Sequence, residues 1–119
     1  MFTHVRHAWA AALRSDKFKQ VRDAECRRLD DSGRHVSPRY CAFGLLVHLA
    51  ERELRVPLTC QVNPSDEAMV SKDCIARFEE WAGAPGFREA GPDHDLIAQV
   101  VEANDAGKTF EEIAGLVEG

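Results

Sequence analysis

Cys41 is the residue best placed for covalent chemistry. It heads an apolar run, Cys41, Phe43, Leu45, Leu46, Val47, Leu49 and Ala50, that covers most of a helix circumference. A thiol in the first turn of such a helix faces free backbone N–H groups and the positive end of the macrodipole. Both lower its pKa. Hydrolases built on a thiolate add a histidine, and then an Asn or Asp, later in the chain. His94 followed by Asn104 or Asp105 has that order. Against this, no strand pattern carries His94, which lies in a Pro92-Asp93-His94-Asp95 helix start. A buried cysteine acting as a small apolar residue is also the commoner case.

A second constellation is His4, His7, Asp93 and His94. His4 and His7 stand at i, i+3 on one helix face, a spacing able to chelate or to assemble an acid/base pair. No HExxH accompanies them. The four cysteines, Cys26, Cys41, Cys60 and Cys74, are separated by 15, 19 and 14 residues. A zinc site made of paired ligands at short spacing is therefore absent, and no metal is expected. With an adequate core and no secretory signal, disulfides are not expected either. There is no GxxxxGK[ST] or GxGxxG, so no nucleotide-binding motif is visible and no cofactor is expected.

The charged residues divide unevenly. Residues 1–59 hold 11 Lys+Arg and 7 Asp+Glu, a charge of +4, whereas residues 60–119 hold 4 and 13, a charge of −9. The basic half concentrates Arg22, Arg27, Arg28, Arg34 and Arg39 ahead of Tyr40. That segment could contact phosphates or an acidic protein surface. Pairing with the acidic half of the same chain is the simpler use of it. The acidic half carries Asp66, Glu67, Glu79, Glu80, Glu89, Asp93, Asp95, Glu111 and Glu112. Such a face can stay solvated, or it can imitate nucleic-acid phosphate and occupy a basic groove. Glu79, Glu80, Glu111 and Glu112, with Arg27, Arg28 and Arg34, are the candidate partner-binding residues. The net charge of −5 argues against general affinity for nucleic acid.

The elements that must position these residues are mainly helical. Val5, Trp9 and Leu13 recur every fourth residue and predict a helix over 3–14, capped by Thr3. The alternation in Lys17-Phe18-Lys19-Gln20-Val21, and again in Val56, Leu58, Cys60 and Val62, predicts two short extended segments. Turns are expected at 30–33 and 63–66. A central helix is expected over 40–52, and a third from a cap at Ser71 or Asp73 to Ala82, stopped by Gly83. Pro92 starts a fourth helix carrying Leu96, Ile97, Val100 and Val101. Thr109 with Glu112 forms a capping box for the last, whose buried stripe is Phe110, Ile113, Leu116 and Val117. The expected class is α+β, mainly α. It has about five helices, a short antiparallel β element from the segments near Phe18 and Val56, and a C-terminal αα-hairpin.

With 119 residues, 45% hydrophobic and 29% charged, residues 1–119 suit a single globular domain. The N-terminal stretch Met1-Phe2-Thr3-His4-Val5-Arg6-His7 has no signal-peptide core, and the longest apolar run is too short to span a bilayer. A cytoplasmic protein without membrane contact is the expectation.

Four stretches stand out together: Ala12-Leu13-Arg14-Ser15-Asp16-Lys17-Phe18-Lys19-Gln20, Arg39-Tyr40-Cys41-Ala42-Phe43-Gly44-Leu45-Leu46, Glu80-Trp81-Ala82-Gly83, and residues 102–114 with Asn104-Asp105-Ala106-Gly107-Lys108-Thr109-Phe110. As a set they resemble the pattern of one group of small proteins encoded by bacteriophages, prophages and bacterial genomes. The group's pattern is LRSGxYxQ, YCCLG, W(L/A)G and LNDxGx(S/T)FxxIA. Here Asp16 replaces Gly, Phe18 replaces Tyr and Ala42-Phe43 replaces Cys-Leu. The resemblance implies a mobile genetic element in a bacterial host and brings no catalytic activity. The leading expectation is a non-enzymatic protein that binds a host protein or ribonucleoprotein complex, as an anti-CRISPR-like inhibitor of a defence system would. The alternatives are a cysteine-dependent enzyme using Cys41 and a structural or homodimeric accessory protein.

Overall fold

The computed structural model describes residues 1–20, 39–56, 58–60, 69–70 and 74–118. Five helices form its body: α1 (Thr3–Arg14), α2 (Ala42–Leu54), α3 (Ile75–Ala82), α4 (Pro92–Asp105) and α5 (Phe110–Glu118). Four two-residue strands join them. β1 (Lys19–Gln20) pairs in parallel with β2 (Arg39–Tyr40), and β3 (Thr59–Cys60) pairs antiparallel with β4 (Met69–Val70).

The α+β expectation is corrected to an all-α fold. The segments near Phe18 and Val56 do not pair with each other. Each ladder is two residues long, which is too short to present an apolar face, so neither forms a sheet layer for the helices to cover. Among the described residues, the alternating stretches contribute only Lys19–Gln20 and Thr59–Cys60 to strands, in the connections between helices. Val21 and Val62 lie outside the described residues. The turns expected at 30–33 and 63–66, the caps at Ser71 and Asp73, and Arg22, Arg27, Arg28 and Arg34 lie outside the described residues.

α1 buries Val5, Trp9, Ala10 and Leu13, the four-residue repeat of the sequence. The Trp9 indole N–H donates to the Ala42 carbonyl at 2.9 Å, which satisfies its polar edge inside the core. Thr3 is the first helical residue and not the cap. Phe2 occupies that position in extended backbone, with its carbonyl accepting from Val5 and Arg6. α2 buries Ala42, Leu45, Leu46, Val47 and Ala50 and packs against α1, α3 and α4, as its apolar circumference requires. It begins at Ala42, two residues later than the start expected at 40, because Tyr40 is held extended opposite Gln20.

α3 buries Phe78 and Ala82 and ends at Gly83 in the left-handed conformation, φ 65°. Phe78 lies in a ring cluster with Phe43 and Phe87. α4 starts at Pro92, where a missing N–H costs nothing, and places Asp93 and Asp95 at its positive end. α5 buries Phe110, Ile113, Ala114 and Val117. Leu116, expected on the buried stripe of α5, is exposed instead, as is Val101 of α4. α5 contacts α4 but makes its most extensive contact with α1, so the two ends of the chain lie side by side. Arg14 bridges them by a hydrogen-bonded ion pair to Glu118, and the Arg6 Nε–H donates to the Val117 carbonyl at 2.9 Å.

Candidate functional site

Three of the four motif stretches meet at one buried side chain. Asn104, on the last turn of α4, is 1% exposed. Its Oδ1 accepts from the backbone N–H of Ala42 at 3.1 Å and from the Gln20 side-chain amide at 3.0 Å. The same Gln20 nitrogen donates to the Lys108 carbonyl at 2.8 Å. Ala42 is the first residue of α2, so its N–H has no partner within the helix. Asn104 supplies that partner from another helix. Cys41 supplies the next: it is the α2 N-cap, and its Sγ accepts from the Gly44 N–H at 3.2 Å. The start of α2 is thus capped twice, once by its own thiol and once across the fold.

Beside this node opens a cavity of about 240 Å³ lined by Leu13, Asp16, Phe18, Gln20, Thr109, Phe110 and Glu111. Every lining residue comes from the first or the last motif stretch. The end of α1 shapes one wall. Ser15 donates to the Ala12 carbonyl through both its N–H and its hydroxyl, and Asp16 then turns the chain with φ 59°. Glycine adopts that conformation freely and aspartate tolerates it, so Asp16 can hold the turn. The start of α5 shapes the other wall. The Thr109 N–H donates to Glu112 Oε1 at 3.3 Å, and the Glu112 N–H donates to Thr109 Oγ1 at 3.2 Å, the reciprocal pair of a capping box. The Thr109 backbone N–H, and then its hydroxyl, which also donates to Glu112 Oε1 at 3.2 Å, hold the Glu112 carboxyl below its ordinary value.

The structure separates the residues of the proposed hydrolytic triad. Cys41 sits by Asn104 at the end of α4, while His94 is in the first turn of the same helix. Ten residues at about 1.5 Å each put the two ends about 15 Å apart. His94 Nδ1 lies 3.0 Å from the Phe87 carbonyl, to which it donates, and Cys41 is buried with its thiol engaged as a cap. His4 and His7 are exposed on α1, where His4 stacks on Phe2. Asp93 is paired with the Met1 amino group at 2.6 Å. Among the described residues no three His, Cys, Asp or Glu side chains converge as a metal site would need.

The candidate partner-binding acids divide by role. Glu79 is half-buried and its carboxylate accepts from the Gly86 N–H, which fixes the turn after α3. Glu112 belongs to the capping box. Glu80 and Glu111 are exposed. Arg27, Arg28 and Arg34 lie outside the described residues. Reading for catalytic residue types passed over Gln20 and Phe110, and took Asn104 for a triad member. The signal for Gln20 and Asn104 was present in the first and last motif stretches, which contain one each. No family model, curated protein or solved structure matches the chain.

Proposed function

We propose that the chain is a non-enzymatic interaction protein of phage or prophage type that binds a bacterial host protein or ribonucleoprotein complex, as an inhibitor of a defence system would. The observation that carries this reading is the exposure of eight acids among the described residues of the acidic half. Glu80, Glu89, Asp95, Glu102, Asp105, Glu111, Glu112 and Glu118 are all exposed on α3, α4, α5 and their connections, against Arg77, Arg88 and Lys108 of opposite sign. Dense like charge raises the encounter rate with a basic groove and rejects acidic surfaces. The motif resemblance supplies the host context.

Affinity capture from bacterial lysate tests the reading with one charge-reversal variant, Glu80→Lys/Glu102→Lys/Asp105→Lys. Glu79 and Glu112 are left alone because they hold turns and caps. Lysine at 102 and 105 suits the negative end of α4, so the variant keeps its fold. The wild type is expected to retain a defined partner that the variant loses. Equal capture by both, or no partner from a panel of related hosts, rejects the reading.

A further inference from the structure

The cavity between α1 and α5 carries an unused recognition chemistry. Among the described residues its lining offers two carboxylates, Asp16 and Glu111, and no cation. Both side chains are exposed. Arg14 forms a loose ion pair with Glu111, its Nε 3.8 Å from the carboxylate and beyond hydrogen-bond distance, while its direct hydrogen bond goes to Glu118, so Glu111 keeps its hydrogen-bonding capacity towards Arg14 unspent. The Gln20 amide nitrogen is spent on Asn104 and Lys108, which leaves its carbonyl oxygen as an acceptor. Leu13, Phe18 and Phe110 make the apolar part of the wall. At about 240 Å³ the space is below the roughly 300–1,000 Å³ of a cofactor or drug-sized site. It suits a single side chain.

We propose that this cavity receives an arginine side chain of the partner protein. Two carboxylates and an amide oxygen around aromatic walls match a planar guanidinium, which donates in several directions and stacks on rings. A lysine ammonium would use the charge but not the shape. Arginine anchors that fill small pockets recur at the centres of protein interfaces. This inference rests on the interaction-protein reading and names what the partner presents.

The test is a titration of the full-length ¹⁵N-labelled chain with Nα-acetyl-arginine N-methylamide, followed by amide resonances. The equally capped citrulline and lysine serve as comparisons. Saturable shifts at Asp16, Phe18, Gln20, Thr109, Phe110 and Glu111 are expected with arginine. Citrulline, nearly the same shape without charge, should bind about tenfold more weakly, the scale of one charge-assisted hydrogen bond. Asp16→Asn/Glu111→Gln should lose the preference while keeping the helical spectrum, since asparagine also accepts a left-handed turn. No shifts at these amides, or equal binding of citrulline, overturns the proposal, and equal binding of lysine overturns its guanidinium specificity. The lysate capture separates the two readings. If charge reversal at Glu80, Glu102 and Asp105 abolishes capture and Asp16→Asn/Glu111→Gln leaves it intact, the pocket assignment falls and the partner-binding reading stands. Selective arginine binding without any captured partner supports the pocket and rejects the host-partner reading.

Discussion

A methyl group added at Gly83 would lie 2.7 Å from the Phe2 ring, and the backbone there has φ 65°. These are separate demands. The left-handed conformation costs an ordinary residue about 1–2 kcal/mol. The close ring, held by the Phe2 N–H bond to the Ala82 carbonyl at 2.8 Å, adds a clash on top. Gly83→Ala is therefore expected to destabilise by about 2–3 kcal/mol in urea unfolding, within the usual range for strained and overpacked sites. Adding Phe2→Ala should recover the clash and leave the conformational cost. Full recovery would mean that only the ring matters, and no recovery that the ring gives way freely. The stop at Gly83 was legible from the Gly-x-Pro punctuation. The ring above it was not, because 81 residues separate Phe2 from Gly83 and no local pattern links them. Asn104 shows the same divide. Its side chain is hydrophilic by type, and only the assembled fold shows that it is buried and caps another helix.

α5 is the element whose ends the sequence announces most fully, and it also clamps the cavity wall. Thr109→Ala removes the hydroxyl that accepts from the Glu112 N–H, and about 1 kcal/mol of stability should go with it, the ordinary value of such a cap. The pH dependence has a definite sign. The Glu112 carboxyl is lowered by its hydrogen bonds from Thr109, and the Glu118 carboxyl by its hydrogen bond from Arg14. A carboxyl with a depressed folded value contributes stability that is present above the ordinary glutamate value, about 4.3. That stability is lost as pH falls through the lower folded value. The protection factors of α5 amides, which divide out the intrinsic exchange rate, should accordingly fall below about pH 4, more than those of α2, which has no carboxylate in its first turn. Protection factors in α5 that stay flat with acid would mean that the two carboxyls hold nothing. Legibility at this scale followed locality. Repeats within one turn, capping pairs and Gly or Pro stops placed α1, α3, α4 and α5 closely. The start of α2 was misread by two residues because an all-round apolar segment has no phase. The pairing of Gln20 with Tyr40 that displaces it is long-range.

At the scale of the molecule, opposite charge in the two halves allows two kinds of partner, a host protein or a second copy of the chain. Within one molecule the two halves are joined by Arg14 to Glu118 and Glu111 on the α1–α5 face. The exposed acids of α3 and α4 remain without such a clasp among the described residues. In a two-fold dimer each copy presents the same patch. An interface built on the acidic face would set like charge against like, and would be weakest when screening is least. An interface that laid one copy's basic half on the other's acidic half would behave in the opposite way, tightening as salt is removed. Light scattering at micromolar concentration across ionic strength therefore discriminates. The Debye length runs from about 30 Å at 0.01 M to about 8 Å at 0.15 M, so the contrast between the two conditions is large. A monomer mass at low salt is the expected outcome and leaves the acidic face free for a foreign basic surface. A dimer at low salt that dissociates on adding salt would make the chain its own partner. The charge-reversal variant would then dissociate it as well, and the host-directed reading would give way to an accessory, self-associating one.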